Sequence, residues 1–278
     1  MSFARALLRN WTMALGIVLL AAVFLMALTA NFVFPGDPYD MVGPPLMWPG
    51  EYEGALLGTD SLGRDIAAGI FYGSRVSLLV GFSSVAVAMI VGVLVGAFAG
   101  FYGGWVDDVL MRVTELFQTI PQFMLAIVVV AVLGPSVGVI IVSLAIVSWP
   151  AVARLVRGEF LVLRDRAYVH GCIVAGMGDL RIIFRQILPN AAPVIIVMST
   201  ILVATAILME SALSFLGFGD PNVLTWGTMI GMGRSQLRDA WYIIAIPGVA
   251  LLLTALALNL VGEGLNDLLN PRLRQRKA

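Results

Sequence analysis

The sequence predicts an all-α integral membrane protein with about six transmembrane helices. Of its 278 residues, 60% are hydrophobic and 12% are charged, and the mean hydropathy is +0.96. Soluble domains average roughly 45–50% apolar and 25% charged residues, so a soluble fold of this size could not bury so much apolar surface. A bilayer-spanning helix takes about 20 residues, so the spans use most of the chain. We therefore predict one transmembrane domain over residues 11–278, preceded by a short N-terminus, residues 1–10.

Apolar runs separated by charged residues, Pro and Gly predict the individual spans. The first run follows Arg5 and Arg9 and exceeds the roughly 7–15-residue core of a signal peptide, so we predict that it is retained. The predicted spans cover residues 11–34, 76–100, 112–133, 137–157, 190–214 and 241–262.

Glycines in the second predicted span fall close to a small-xxx-small spacing, at Gly81, Gly92, Gly96 and Gly100. Small residues let helices approach closely in lipid, where no hydrophobic effect drives helix association. The pattern fits packing within the chain or contact with another subunit, and we favour packing within the chain.

The basic residues predict the orientation, because Lys and Arg near span ends resist translocation. Of the 17 basic residues, all but Arg64, Arg75, Arg234 and Arg238 fall on one side of the predicted spans. That side is predicted to be cytoplasmic and to carry both termini and residues 158–189. Residues 35–75, which begin irregular and end as a surface helix, and residues 217–240 are predicted to lie outside.

Several functions are disfavoured by what the sequence lacks. The formal net charge is zero, which argues against nucleic-acid binding, and the single cysteine cannot form an internal disulfide. A P-loop needs Lys before Ser or Thr, and the only lysine, Lys277, precedes Ala278. A secondary transporter would place ionisable residues at mid-membrane, where the predicted spans carry almost none. We predict no catalytic residue and no metal site, because the lone histidine, His170, has no ligand partner at helical spacing.

Residues 168–190, between the predicted fourth and fifth spans, are amphipathic rather than membrane-like. A short helix, a turn at Gly176 to Gly178 and a second short helix are predicted. Asp179 suits the N-terminus of the second helix, where its side chain could cap free N–H groups, and Pro189 marks the start of the next span. Taken alone, the pattern also fits a helix that lies on lipid.

This segment resembles the EAA loop of binding-protein-dependent ABC importer permeases, which in that family docks into a groove on the ATPase subunit. Gly176 falls on the family glycine and Pro189 on the family proline. Residues 170–172, His-Gly-Cys, stand where Glu-Ala-Ala is usual, and Gln186 stands where His is common. The resemblance implies ATPase contact by Tyr168, His170, Ala175, Gly176, Asp179, Leu180, Arg181, Phe184, Arg185 and Pro189.

Two predicted outside stretches resemble signatures of the C-type permease subunit of dipeptide, oligopeptide and nickel importers. The first is LGTDSLGRD at residues 57–65 with GSRVSL at 73–78, and the second is ESALSFLGFG at 210–219 with Trp-Gly at 226–227. Residues 258–267 and 270–273 near the C-terminus also match. The resemblance implies outside docking or signature roles for Thr59, Asp60, Gly63, Arg64, Asp65, Arg75, Glu210 and Trp226.

Each signature residue also has a structural interpretation. Thr59 and Asp60 could cap a helix, Asp60 and Arg64 could form an i,i+4 ion pair, and Gly63 could permit a turn. Glu210 could be a buried partner for a helix end or a nearby hydroxyl, which we favour over substrate contact.

The resemblance implies one half of a type I ABC importer of the bacterial inner membrane, with a cytoplasmic coupling-helix loop and an alternating-access mechanism. The implied partners are membrane lipid, a distinct B-type permease in a heterodimer, one or two ABC ATPase subunits and an extracytoplasmic solute-binding protein. ATP and Mg²⁺ would bind to the ATPase subunits, and no cofactor to this chain. Short peptides are the expected substrate, with nickel or a metal chelate, an opine or a small saccharide left open. A secondary transporter or channel is a more distant alternative.

The topology can be tested with two cysteines. Cys172 lies in the predicted cytoplasmic segment, and Glu53→Cys would lie in the predicted outside segment. We expect a membrane-impermeant maleimide to label Glu53→Cys only in right-side-out vesicles and Cys172 only in inverted vesicles. Labelling of Glu53→Cys only in inverted vesicles would reverse the orientation.

Overall fold

The computed structural model describes residues 11–269, and apart from two isolated β-bridges, Met41 with Arg64 and Thr59 with Asp65, these residues contain no β-structure. The predicted N-terminus 1–10 and residues 270–278 lie outside the described residues. The helices are α1 Trp11–Val33, α2 Ile66–Tyr102, α3 Gly104–Thr119, α4 Gln122–Leu133, α5 Val137–Arg164, α6 Ala167–Val174, α7 Asp179–Ile182, α8 Leu188–Leu213, α9 Trp226–Met232 and α10 Tyr242–Leu269. Two π-helical turns, Ile183–Ile187 and Ser214–Phe218, flank α8, and a 3₁₀ turn, Gly233–Gln236, follows α9.

Five helical stretches in the described part are long and apolar enough to cross a membrane, and a bent pair raises the number to six. The bent pair is α3 and α4, which meet at 83°. The predicted span over 112–133 is therefore not one continuous helix but is broken at Ile120 and Pro121. Ile120 before Pro121 has extended backbone, φ −93° and ψ 131°, because the proline ring disfavours a helical conformation in the residue before it.

The second and fourth spans are longer than predicted. The long helix α2 begins at Ile66, so the predicted surface helix at the end of residues 35–75 forms the first turns of the span itself. At 37 residues it is about 55 Å long, well beyond the roughly 30 Å of bilayer hydrocarbon. The fourth span, α5, continues to Arg164 instead of ending at 157. We call the end of the bundle with residues 34–65 the outer end, and the end with residues 165–187 the inner end.

Three glycines of α2 pack against α5, and Gly81 packs against Ile207 of α8, which confirms packing within the chain. A Cβ added to Gly92 would lie 2.5 Å from Val152 Cβ, and one added to Gly100 would lie 2.5 Å from Phe160 Cβ. Gly96 between them approaches the α5 backbone. The helices can touch at this distance only because these positions have no side chain.

Arg75 on α2 holds the first span. Its Nη1 donates to Asn31 Oδ1 at 2.8 Å, its Nε donates to the Ala27 carbonyl, and Nη2 lies 3.4 Å from the Leu28 carbonyl. Ala27 and Leu28 lie in the last two turns of α1, where helix carbonyls carry partial negative charge, so the guanidinium adds hydrogen bonds at the negative end of the helix dipole. Arg75 thereby fixes the outer end of α1 against α2.

Candidate functional site

We call residues 167–189 the inner segment. It starts with the short helix α6, which ends in a glycine turn. Gly176 has φ +75°; its N–H donates to the Ile173 carbonyl at 2.9 Å, and the Met177 N–H donates to the Cys172 carbonyl at 3.0 Å. These two hydrogen bonds form a Schellman motif, in which a left-handed residue satisfies the last carbonyls of a helix. The predicted turn at Gly176 is confirmed.

The second helix of this segment differs from the prediction. Gly178, not Asp179, is the N-cap residue, and no side chain caps α7. Asp179 is the first helical residue, where its carboxylate suits the positive end of the helix dipole. The helix is also not separate, because α7, the π-turn and α8 form one 40-residue helical stretch with the second π-turn. Pro189 lies in the first turn of α8, directly after the π-turn that leads into this helix.

Four apolar side chains anchor the inner segment, namely those of Val169, Ile182, Ile183 and Ile187, all 0% exposed. The side of the segment that faces away from this anchor carries the predicted contact residues. All ten of them are exposed: Tyr168, His170, Ala175, Gly176, Asp179, Leu180, Arg181, Phe184, Arg185 and Pro189.

Two further exposed residues were missed from the sequence. Ile173 and Val174 at the end of α6 are 52% and 89% exposed, beside Leu180 at 58%. The sequence did carry a signal for their exposure. They are two β-branched residues just before a glycine turn, and they lie outside any predicted span. Phe184, which lies between Arg181 and Arg185 in the sequence, is a further exposed apolar residue in this region, which is predicted to lie in water.

The first outer signature folds into a tight turn. Thr59 is fully buried; its hydroxyl donates to the Pro44 carbonyl at 2.6 Å and accepts from the Met47 N–H at 3.0 Å. Asp60 Oδ1 accepts from the N–H groups of Leu62 and Arg64 at 2.8 and 2.9 Å. These residues stabilise the loop and do not cap a helix, contrary to the structural interpretation made from the sequence.

The helix cap is instead Asp65, whose Oδ1 accepts from the Ala67 N–H at 2.8 Å. Burial raises the pKa of the Asp65 carboxyl above its ordinary value, and the backbone hydrogen bonds oppose that shift. The predicted ion pair between Asp60 and Arg64 is absent among the salt bridges of the described residues. The Arg64 guanidinium carbon lies 4.9 Å from the centre of the Tyr39 ring.

Gly63 confirms its predicted turn, since its φ is +79° and an added Cβ would collide with the Gly43 carbonyl. The loop is also tied to the last span. The Tyr242 hydroxyl at the start of α10 lies 2.9 Å from the Met47 carbonyl oxygen and 3.0 Å from that of Thr59.

The second outer signature surrounds a buried acid. Glu210 on α8 is 0% exposed; its Oε1 accepts from the Ser214 hydroxyl at 2.7 Å, and its Oε2 lies 3.3 Å from the Ser211 hydroxyl. No basic side chain forms an ion pair with it within the described residues. The carboxyl therefore binds the hydroxyls at the π-turn where α8 ends.

Trp226 anchors α9 against α2. It is 0% exposed, and its Nε1 donates to the Ile70 carbonyl at 3.0 Å. A Cβ on the following residue, Gly227, would lie 2.5 Å from Ser211 Cα, so α9 also rests on the α8 backbone. The eight predicted outer residues are buried or partly buried, and the contacts described here explain the side chains of Thr59, Asp65 and Trp226 within this chain.

The described residues hold no group of three or more His, Cys, Asp or Glu side chains placed to bind a metal ion. The inner end instead presents exposed apolar and basic side chains beside the buried anchor residues.

The family described as "Binding-protein-dependent transport system inner membrane component" matches residues 92–275. The chain is 38% identical over 265 residues to the di/tripeptide transport system permease protein DppC of Pseudomonas aeruginosa, covering 93% of this chain and 88% of the relative. It is 40% identical over 273 residues to the dipeptide transport system permease protein DppC of Escherichia coli, with coverages of 96% and 91%. It is 38% identical to the glutathione transport system permease protein GsiD of Pectobacterium atrosepticum over 271 residues, with coverages of 97% and 90%.

Among solved structures, an inward-facing MetNI methionine ABC transporter contains a similar chain. The TM-score is 0.60 at 17% sequence identity, and the match covers 73% of this chain and 96% of that chain. This similarity shows the fold, and it confirms the predicted all-α type I importer architecture.

Glu210 gives a test of the outer cluster. Glu210→Gln keeps an oxygen that can accept from Ser214, so we expect assembly and most transport activity to persist. Glu210→Leu leaves a buried hydroxyl without its acceptor, at a cost of about 1–3 kcal/mol, and should lower the amount of assembled protein in membranes. Glu53→Leu in the exposed outer loop is the control, which should assemble normally. Loss of transport by a normally assembled Glu210→Gln protein would show that the charge itself is needed.

Proposed function

Since the chain belongs to the family of binding-protein-dependent transport system inner membrane components, and is a multi-pass permease subunit of an ABC importer, we propose that it moves short peptides into the cell. The relatives that support this substrate class are named as permeases for dipeptides, for di- and tripeptides and for glutathione, itself a short peptide. The movement would follow alternating access, with both chain termini in the cytoplasm.

The observation that carries the coupling role is the exposed inner segment. Large apolar side chains exposed to water are costly in isolation, so several of them within one short segment that has a buried anchor indicate a contact surface. Ile173, Val174, Leu180 and Phe184 supply apolar area, and Arg181 with Arg185 supply charge at its margin. We propose an ATPase subunit as the partner that covers this surface.

Energy for transport would come from that partner. ATP and Mg²⁺ would bind to one or two separate ATPase subunits, and closure of these subunits would move the inner segment. A B-type permease would complete the translocation path, and a solute-binding protein would deliver the peptide at the outer end.

The substrate proposal can be tested in a strain that lacks this permease and retains its partners. Expression of the chain should restore ATP-dependent uptake of a radiolabelled dipeptide, and excess unlabelled dipeptide should compete. Nickel chloride at the same concentration is the comparison. Restored uptake of nickel without restored uptake of the dipeptide would contradict a peptide substrate.

Gly176 tests the contact with the ATPase. A Cβ there meets nothing within 4 Å, so Gly176→Val causes no collision within the chain. Valine in a left-handed conformation costs about 1–2 kcal/mol or more, which should open the turn and displace Ile173 and Val174. We expect the variant to insert in the membrane, to copurify less ATPase and to lose uptake.

Two variants serve as controls for this result. Gly158→Val makes the same change in open space on helical backbone, so it should keep both properties. Gly176→Asn should retain most activity, because Asn adopts the left-handed conformation more readily. Normal ATPase copurification and uptake in Gly176→Val would exclude the coupling role.

A further inference from the structure

Helix α3 has three distinct faces. Asp107, Leu110, Thr114 and Phe117 point toward the protein, and Thr114 is fully buried. A second face is exposed and apolar, at Trp105, Val109, Val113, Leu116 and Ile120. The third face is exposed and polar, at Asp108, Arg112, Glu115 and Thr119. We call this third face the polar stripe; its spacings of four, three and four residues align it along one side of the helix.

The contacts of α3 show where the stripe lies. Near its start, Asp107 binds Arg157 of α5, with Nη2 2.6 Å from Oδ2. Near its end, the Phe117 ring packs on Trp149 of α5, with centroids 5.3 Å apart. The numbering rises on α3 while it falls on α5, so the two helices run antiparallel. From Asp107 to Phe117 the helix rises about 15 Å, roughly half the thickness of bilayer hydrocarbon.

The contact of Phe117 shows how far α3 reaches from the inner end toward the middle of the bundle. Phe117 joins a small apolar cluster with Ala88 on α2 and Ala145, Trp149 and Ala153 on α5. Ala88 lies midway along the apolar part of α2 predicted from the sequence, 76–100. The helix α3 therefore climbs from the inner end toward the middle of the bundle, and the polar stripe climbs with it.

Lipid is a poor environment for this stripe. Arg112 and Glu115 form an ion pair at 3.2 Å, yet their side chains are 84% and 60% exposed. Charged side chains at membrane depth face the bundle interior or water, because exposure to hydrocarbon is costly. The adjacent apolar face of α3 is suited to contact with lipid or with another helix. The polar stripe is suited to contact with water.

We propose that the polar stripe lines the water-filled inner half of the translocation path, an assignment that rests on the proposed transport function. The stripe carries negative, positive and negative charge in turn at Asp108, Arg112 and Glu115. A surface of mixed sign does not hold either end of a zwitterionic peptide strongly, which suits release toward the cytoplasm. The break at Pro121 ends the stripe where α4 turns away at 83°.

The test uses single cysteines in the complete importer, in inverted vesicles and a Cys172→Ala background whose uptake is measured first. Asp108→Cys, Glu115→Cys and Thr119→Cys probe the stripe, and Val109→Cys, Val113→Cys and Leu116→Cys are matched controls on the apolar face. A permanently charged methanethiosulfonate reacts with thiolates, which form in water and not in hydrocarbon. We expect stripe cysteines to react at least about tenfold faster than the controls. Trapping ADP on the ATPase subunits with vanadate after ATP hydrolysis should slow the reaction of Thr119→Cys, the deepest position.

Two results would overturn the assignment. Equal rates on both faces would mean that the stripe does not face water. Rates that decline with distance from the inner end and do not change on vanadate trapping would place α3 at the headgroup surface. Both results leave the proposed function intact if the Cys172→Ala importer shows ATP-dependent dipeptide uptake. Absence of dipeptide uptake in the importer that retains Cys172 counts against the proposed function, independently of the labelling pattern.

Discussion

The close contact between α2 and α5 is the interaction on which the rest of the structure depends. In lipid, helices gain little from the hydrophobic effect, so their association relies on dispersion at short range, which glycine spacing permits. Gly92, Gly96 and Gly100 bring the two backbones together along the inner half of α2. The other inner elements are fastened to this pair. The carboxylate of Asp107 fixes α3 to Arg157, and the Ser143 hydroxyl of α5 lies 3.1 Å from the Ala126 carbonyl of α4.

The same pair positions the inner segment. Arg164, the last residue of α5, places Nη1 3.1 Å from the Gly100 carbonyl and 3.3 Å from the Phe101 carbonyl, at the end of α2. The inner segment begins a few residues later, so its first attachment is the rigid end of the glycine-packed pair. Its second attachment is α8, with which it is helically continuous. A force applied at Gly176 therefore reaches two spans, α5 directly and α8 through the π-turn at Ile183–Ile187, where the hydrogen-bond ladder is already irregular.

The sequence was sufficient to predict the features that depend on residues close together in the chain. Apolar length located the spans, the glycine repeat predicted the close packing, and Gly176 and Gly63 predicted turns that need φ > 0. The broken third span was missed because the average hydropathy over residues 112–133 does not register a bend, although the polar residues beside Pro121 were an available signal. The roles at the outer end were missed for a different reason. Trp226 binds the carbonyl of Ile70, 156 residues away, and Arg75 binds Ala27, 48 residues away, so only the folded chain brings these groups together.

The two ends of the molecule use their signature residues in opposite ways. At the outer end, Thr59, Asp65 and Trp226 are buried and make hydrogen bonds within the chain, so their side chains are already explained by the fold. A protein that docks there would meet other side chains, such as Leu56 and Trp241, which are 78% and 54% exposed. At the inner end, Leu180 and Phe184 are exposed, and the anchor of the segment is supplied by different residues. Their exposed apolar side chains are what the proposed contact with an ATPase subunit would explain.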